Sequence, residues 1–285
     1  MGVDMKNIFL IAGLVLVCAG LSFAQESPSL KPRYISLAPS TTEILFALGL
    51  DGEIAGVSSY CNYPPKARTK TNVGNFSQPN IEKILSLKPD YIFCTGLEQA
   101  PIIDELKRLN LKVYVSDPRN IKELFDSIRD IAKITRKSQE AENIIRDMQI
   151  QIDGITSLAK SIPENKRLKV FIEIFDDPLT TAGRGTFIDE IITMAGGVNI
   201  AGDTKRAYTI FSQEDVIKRN PDCIIIAYMG RGEPGKIMLS RFAWDSISAV
   251  KNNRIYNDID PDTLLRPGPR VVLGLKEIYK RLYIK

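Results

Sequence analysis

Residues 77–93 read SQPNIEKILSLKPDYIF, and residues 212–226 read SQEDVIKRNPDCIII. In both, a glutamate (Glu82, Glu214) precedes a Pro-Asp pair (Pro89-Asp90, Pro221-Asp222) by the same spacing, and an apolar run follows the aspartate. Each phrase predicts a short helix, a Pro-Asp turn and a buried strand. Such phrases are common, so one match carries little. A second pair follows the same order. TTEILFALGLDGEIAG (41–56) is repeated in outline by FIDEIITMAGGVNIAG (187–202), with Glu43 aligned to Glu190 and Gly49 to Gly196 at one common offset. Both copies open on a capping-box pattern, Ser40-x-x-Glu43 and Thr186-x-x-Asp189, in which side chain and backbone satisfy each other at a helix start. The two glycines stand where a helix end wants positive φ. A third pair is KVYVSDP (112–118) with RIYNDIDP (254–261). Three pairs in one order predict an internal duplication. The period is too long, and the copies too few, for a solenoid.

Around these phrases, strand-like runs alternate with helical ones. RYISLAP (33–39), EIAGVSSY (53–60), YIFCTG (91–96) and LKVYVSD (111–117) are the strands of the first half; RLKVFIEIF (167–175), DCIIIAY (222–228) and RIYND (254–258) restart the pattern. That alternation predicts βαβ units and parallel sheet. Between the halves, residues 121–162 hold no proline and no strand-like run. Apolar residues recur there at helical spacing, from Ile121 through Ala132 and from Ile144 through Leu158, with a break near Arg136–Ser138. A helix over 138–160 spans about 34 Å, enough to bridge two lobes, and Pro163 ends it. A further helix is expected around Trp244–Val250, and a last one from Pro269 to the end. The fold class is therefore α/β: two related Rossmann-like lobes with parallel-sheet cores, joined by one long rigid helix. A ligand would sit in the cleft between the lobes, near strand ends and helix N-termini. The expected division is a signal peptide at 1–24, an N-terminal lobe at 31–118, a helical connection at 119–162 and a C-terminal lobe at 163–285.

The first residues carry Lys6, the apolar run IFLIAGLVLVCAGL and then Ser22-Phe23-Ala24. The run is shorter than the roughly 20 residues of a membrane span. Small residues before Gln25 suit signal-peptide cleavage after Ala24, which implies a periplasmic or equivalent location. A lipid anchor at Cys18 is the rival reading, set back by the bulk of Val17. Cys61, Cys94 and Cys223 follow the cleavage point. Cys94 and Cys223 stand in the repeated apolar strands, one per lobe, where buried thiols are expected and a disulfide is not.

The net charge is +4, with 25% charged residues of both signs interspersed. That is too mild to point to nucleic acid. Histidine is absent, which removes His-based triads, His-rich zinc sites and His-ligated haem. GRGEPG (230–235) fits a dinucleotide fingerprint in letters, but Pro234 stands where a helix should open, and a cleft-rim loop is the better reading.

Taken together, ISLAPSTTEILFALG, VSSYCNYPP and NIEKILSLKPD resemble the periplasmic binding proteins of ABC importers for vitamin B12 and ferric siderophores. The resemblance runs from about Arg33 to the C-terminus and lies nearest to the vitamin B12 binders. It implies a monomeric, non-enzymatic receptor that captures cobalamin or a related corrinoid and delivers it to a permease dimer in the inner membrane. No resident cofactor and no protein-bound metal are implied. It also accounts for the duplicated phrase. In this family each lobe presents one surface glutamate to an arginine of one permease subunit, and Glu82 and Glu214 stand at the matching positions. A two-fold permease needs a contact repeated on its partner.

For the cleft, the resemblance carries over Pro39, Tyr60, Phe76, Tyr208, Asp262 and Arg266. Aromatic faces with a few polar anchors suit a large, flat, mostly neutral ligand. Phe76 and Tyr208 stand where those binders have tryptophan, and a further cleft tryptophan aligns with Thr95. Trp244 falls in an expected helix and is assigned to the core. Arg184, Arg206, Arg231 and Arg266 lie in loops of the second lobe. If several faced the cleft, an anionic ferric siderophore would suit better, and haem is the other alternative. A remote rival is a cleft hydrolase using Glu82 and Glu214 as acid and base, which needs them about 5–10 Å apart.

Overall fold

A computed structural model of the protein describes residues 31–228 and 241–284. The expectations about the leader, Cys18, GRGEPG and Arg231 lie outside the described residues. In the first lobe, strands β1 (Tyr34–Ser36), β2 (Ile54–Val57), β3 (Thr71–Asn72), β4 (Tyr91–Cys94) and β5 (Val113–Val115) form one parallel sheet in the order β3-β2-β1-β4-β5. Helices α1 (Pro39–Ala47), α2 (Ile81–Ser86) and α3 (Ala100–Arg108) connect them. Then come α4 (Ile121–Thr135) and α5 (Ser138–Lys160). Arg136 adopts a left-handed conformation (φ 60°) between the two, which is the expected break.

The second lobe repeats the topology. Strands β6 (Lys169–Glu173), β9 (Val198–Asn199), β11 (Cys223–Ile226) and β12 (Ile255–Tyr256) lie parallel in the order β12-β11-β6-β9. Helices α6 (Phe187–Met194) and α7 (Gln213–Arg219) occupy the places of α1 and α2. One feature differs from the sequence expectation. The run 167–175 does not stay one strand: it bends at Ile174, and the short β7 that follows turns back at Asp177-Pro178. A small antiparallel sheet results, with β8 (Leu179–Ala182) between β7 (Phe175–Asp176) and β10 (Tyr208–Ile210). Proline has no N–H to donate, so it falls at the turn and not in the ladder. The last helix runs from Val271 to Tyr283.

Strand alternation decides how the lobes are held. Parallel strands covered on both faces are apolar throughout, and successive side chains enter different layers. In the first lobe Tyr34 and Phe93 enter a core that runs through both lobes, while Ile35, Ile92 and Cys94 enter the lobe's own outer core. In the second lobe Val170, Ile172, Cys223 and Ile225 join the shared core. There Phe171, Ile224 and Ile226 face the other way, onto Phe211 and Trp244. Ile128, Ile131, Ile145 and Met148 of α4 and α5 fill the middle of the shared core. Trp244 is buried against Phe171, ring centroids 6.4 Å apart, as its assignment to the core requires. It sits on a short 3-10 turn, Trp244–Ser246, followed by the helix Ser248–Lys251.

Cys61, Cys94 and Cys223 are buried and free. Burial pushes the Cys94 and Cys223 thiols up to about 12, so both are inert at neutral pH. Gly49 (φ 75°) and Gly196 (φ 80°) end α1 and α6 in the left-handed region, as expected. The capping boxes come out differently. Thr186 caps α6 by accepting the Asp189 N–H, and the Asp189 carboxylate takes the Gly185 N–H. Helix α1 instead starts at Pro39 after Ala38, with Ser40 inside it and no side-chain cap. Glu43 is thereby free for another partner.

Candidate functional site

The loops that follow the parallel strands carry the residues expected at the cleft. Tyr60 follows β2 and is 58% exposed. Phe76, on the loop before α2, meets it edge-on at 6.3 Å and is half-buried. Pro39 opens α1 after β1 and is also half-buried. On the second lobe Tyr208 begins the edge strand β10 and is 59% exposed. Its hydroxyl pKa is raised, first by the protein atoms around it and then by the carboxylates of Asp117 and Glu98. Both carboxylates belong to loops of the first lobe. Tyr208 therefore lies within electrostatic reach of the first lobe while remaining open to solvent. Ile210, two residues on and on the same face of β10, is 65% exposed, and sequence pattern gave no sign of it.

Asp262 and Arg266 come together, on one side of the cleft, in a network that ties the lobes. Arg266 is buried; it binds Asp262 at 2.9 Å and donates to the Asn62 side-chain Oδ1 at 2.6 Å. Asn62 donates in turn to Asp262 at 3.5 Å. It lies two residues past Tyr60, so this network holds the loop that carries Tyr60. Beside it Arg270 makes a two-pronged pair with the buried Glu43, Nε to Oε2 at 2.8 Å and Nη2 to Oε1 at 2.7 Å. It also reaches Asp260 at 3.0 Å and covers the Tyr63 ring at 3.9 Å. Burial pushes the Glu43 carboxyl up against the pull of Arg270, and Glu43 holds the Arg270 guanidinium above its ordinary value. The Nε of Arg266 is buried without a hydrogen-bond partner.

The duplicated glutamate reaches a distant segment in both copies, with a different kind of partner in each. Glu43 of α1 reaches the residue just before the C-terminal helix of the second lobe. Glu190 of α6 accepts the N–H of Ile121, the first residue of α4, at 2.7 Å. Glu190 thereby satisfies a backbone donor at a helix start, where donors lack an intrahelical partner, whereas Glu43 pairs with a side-chain guanidinium. The sequence showed the two as equivalent, but only the packing shows that both cross between lobes.

In the second lobe a buried carboxylate, Glu173 at the end of β6, takes two bonds from Arg241, at 2.6 and 2.7 Å, and one from Tyr228. That pairing gives a buried charge the partners it needs. Of the other candidate cations, Arg184 and Arg206 are exposed on loops of this lobe.

Glu82 and Glu214 are both exposed, in the first turns of α2 and α7. The caps of these helices are supplied by neighbours. Asn80 accepts the Lys83 N–H, and Ser212 exchanges bonds with Asp215. Neither glutamate makes an ion pair or hydrogen bond with another described residue. Among the described residues no cluster of three or more Cys, Asp or Glu could hold a metal ion.

The chain joins two βα lobes through helices and a shared core, and leaves Tyr60 of one lobe and Tyr208 of the other exposed. The chain belongs to the periplasmic binding protein family, whose profile matches residues 35–262. It is the substrate-binding protein of an ABC transporter, a transport protein and not an enzyme. It is 32% identical over 256 residues to an uncharacterized ABC transporter substrate-binding lipoprotein of Bacillus subtilis, covering 88% of this chain and 80% of that one. It is 30% identical over 265 residues to the vitamin B12-binding protein of Pectobacterium carotovorum, covering 92% of each. Its fold superposes on the crystal structure of a possible iron-binding periplasmic solute-binding protein from Staphylococcus epidermidis with a TM-score of 0.76. That pair shares 31% identity, over 89% of this chain and 100% of the other.

Proposed function

We propose that this protein captures cobalamin or a related corrinoid between its lobes and hands it to a membrane permease dimer. The observation that carries the reading is that each lobe leaves an aromatic open to solvent, Tyr60, edge-on to the half-buried Phe76, on one and Tyr208 on the other. A corrin ring is broad, flat and edged with amides, and aromatic faces bind such a body with little need for charge. The 30% identity to a vitamin B12-binding protein supports it. Pro39 borders the wall, while Asp262 and Arg266 anchor one end of it. The chain acts as a monomer, exported after cleavage behind Ala24, and docks through Glu82 and Glu214.

Calorimetric titration of residues 25–285 with cyanocobalamin and with cobinamide tests the ligand. One-to-one binding is expected with both. Absence of heat at tens of micromolar protein would move the ligand to a ferric siderophore or haem. The second reading draws on the exposed Arg184 and Arg206 and on the iron-binding structural relative. Tyr208→Ala and Tyr60→Ala should each weaken corrinoid binding by about tenfold or more, as loss of an aromatic anchor does. Unchanged affinity in both would place the cleft elsewhere.

A further inference from the structure

Gln99 lies on a 3-10 turn, Leu97–Gln99, just past β4. Its side chain is fully buried, which is costly for a carboxamide unless its polar atoms find partners. They do so in three separate segments. Oε1 accepts the Thr95 N–H at 2.9 Å, and Nε2 donates to the carbonyls of Leu37 at 3.1 Å and Phe76 at 2.7 Å. The partners fix which end is nitrogen, because the two carbonyls need donors and the amide needs an acceptor. Leu37 leads into Pro39, Phe76 abuts Tyr60, and Thr95 directly follows β4.

We propose that Gln99 is the positioning residue of the first lobe's ligand wall: one buried carboxamide sets the backbone of Phe76, and through it the Tyr60–Phe76 pair, against the loops at Leu37 and Thr95. This rests on the reading of that pair as ligand-contacting. No other side chain fits the role. Glutamate would turn an oxygen toward two carbonyl oxygens, leucine would fill the space and bond to none, and asparagine is shorter by one methylene.

Two variants test it. In Gln99→Leu the Thr95 amide loses its acceptor, so its hydrogen exchange should speed up. In Gln99→Glu the acceptor remains, and Thr95 should stay protected. Cyanocobalamin affinity should fall about tenfold in Gln99→Leu, the worth of one to two hydrogen bonds. In Gln99→Glu it should fall at pH 8 and recover toward pH 5. A carboxylate facing two carbonyls, with Glu98 on the same turn and the Asp117 carboxylate over Gly96, titrates above its ordinary value. Its protonated form regains one donor. A merely structural glutamine would change stability without that pH profile. Wild-type affinity in Gln99→Leu with Thr95 deprotected would overturn the proposal. If the wild-type protein takes up no corrinoid, the ligand reading fails on its own. The proposal is then decided without ligand, by the nuclear Overhauser contact between the Tyr60 and Phe76 rings. Its loss in Gln99→Leu supports the positioning role, and its persistence overturns it.

Discussion

Glu82→Lys combined with Glu214→Lys is expected to abolish uptake through the cognate permease while ligand affinity stays at the wild-type value. Both side chains are exposed, on equivalent short helices of the two lobes, and bond to no described residue. Their replacement therefore removes nothing from the fold. A lysine in a first helical turn costs only about 0.3–1 kcal/mol against the helix dipole, far below what would unfold a domain. At the interface the effect is of another size. A charge reversed opposite a cation costs about 2–5 kcal/mol at each contact, and the two contacts add because they lie on different lobes. Each single reversal should thus weaken docking clearly, and the pair should silence it. Vesicles carrying the permease, with uptake and equilibrium binding measured side by side, check this. Uptake that survives the double reversal would remove the docking role from these glutamates. Loss of ligand affinity in parallel would place them at the cleft instead.

Arg270→Ala should lower the unfolding free energy by about 3–5 kcal/mol, the cost of stranding a buried charge. Glu43, 3% exposed at its side chain, would keep its desolvation and lose both prongs of its partner. Arg266, 3.9 Å away and already engaged by Asp262 and Asn62, can compensate only in part. The double variant Glu43→Leu with Arg270→Leu should recover much of the loss, because neither charge is then stranded. Lys122→Ala provides the contrast. Its pair with Asp126 is exposed and should matter by at most about 1 kcal/mol. Denaturant unfolding at an unchanged slope reads all of these directly. A loss below about 1 kcal/mol in Arg270→Ala would show the pair to be no stronger than a surface one. The same variants reach the site, since Arg270 also covers Tyr63 on the loop that carries Tyr60.

Much of this architecture was legible from short phrases. The Pro-Asp turns, the strand-helix alternation, the break at Arg136 and the positive-φ glycines at 49 and 196 are local matters. They are set by backbone conformation and by periods of two and of three to four residues. The duplication was legible too, and with it the equivalence of Glu82 to Glu214 and of Glu43 to Glu190. What those equivalences meant was not. On sequence, Glu43 belonged to a capping box; in the fold it lies buried against an arginine 227 residues away. Asn62 and Gln99 carried no signal, since a lone amide in a polar loop is usually solvated. Each became central because it stood where segments far apart in the chain converge.

The amino-acid order fixed which residues form strands, which form helices, and that the whole pattern occurs twice. Tertiary structure alone decided which face of each strand joins the core shared by the lobes, which glutamates cross between them and which stay on the surface, and which loops share a single carboxamide. The physical reason is range. Hydrophobic periodicity and turn chemistry act over a few residues, whereas a buried charge or amide is stable only when partners from distant segments are brought within about 3 Å of it. Those partners are chosen by how the helices and sheets of the two lobes pack together.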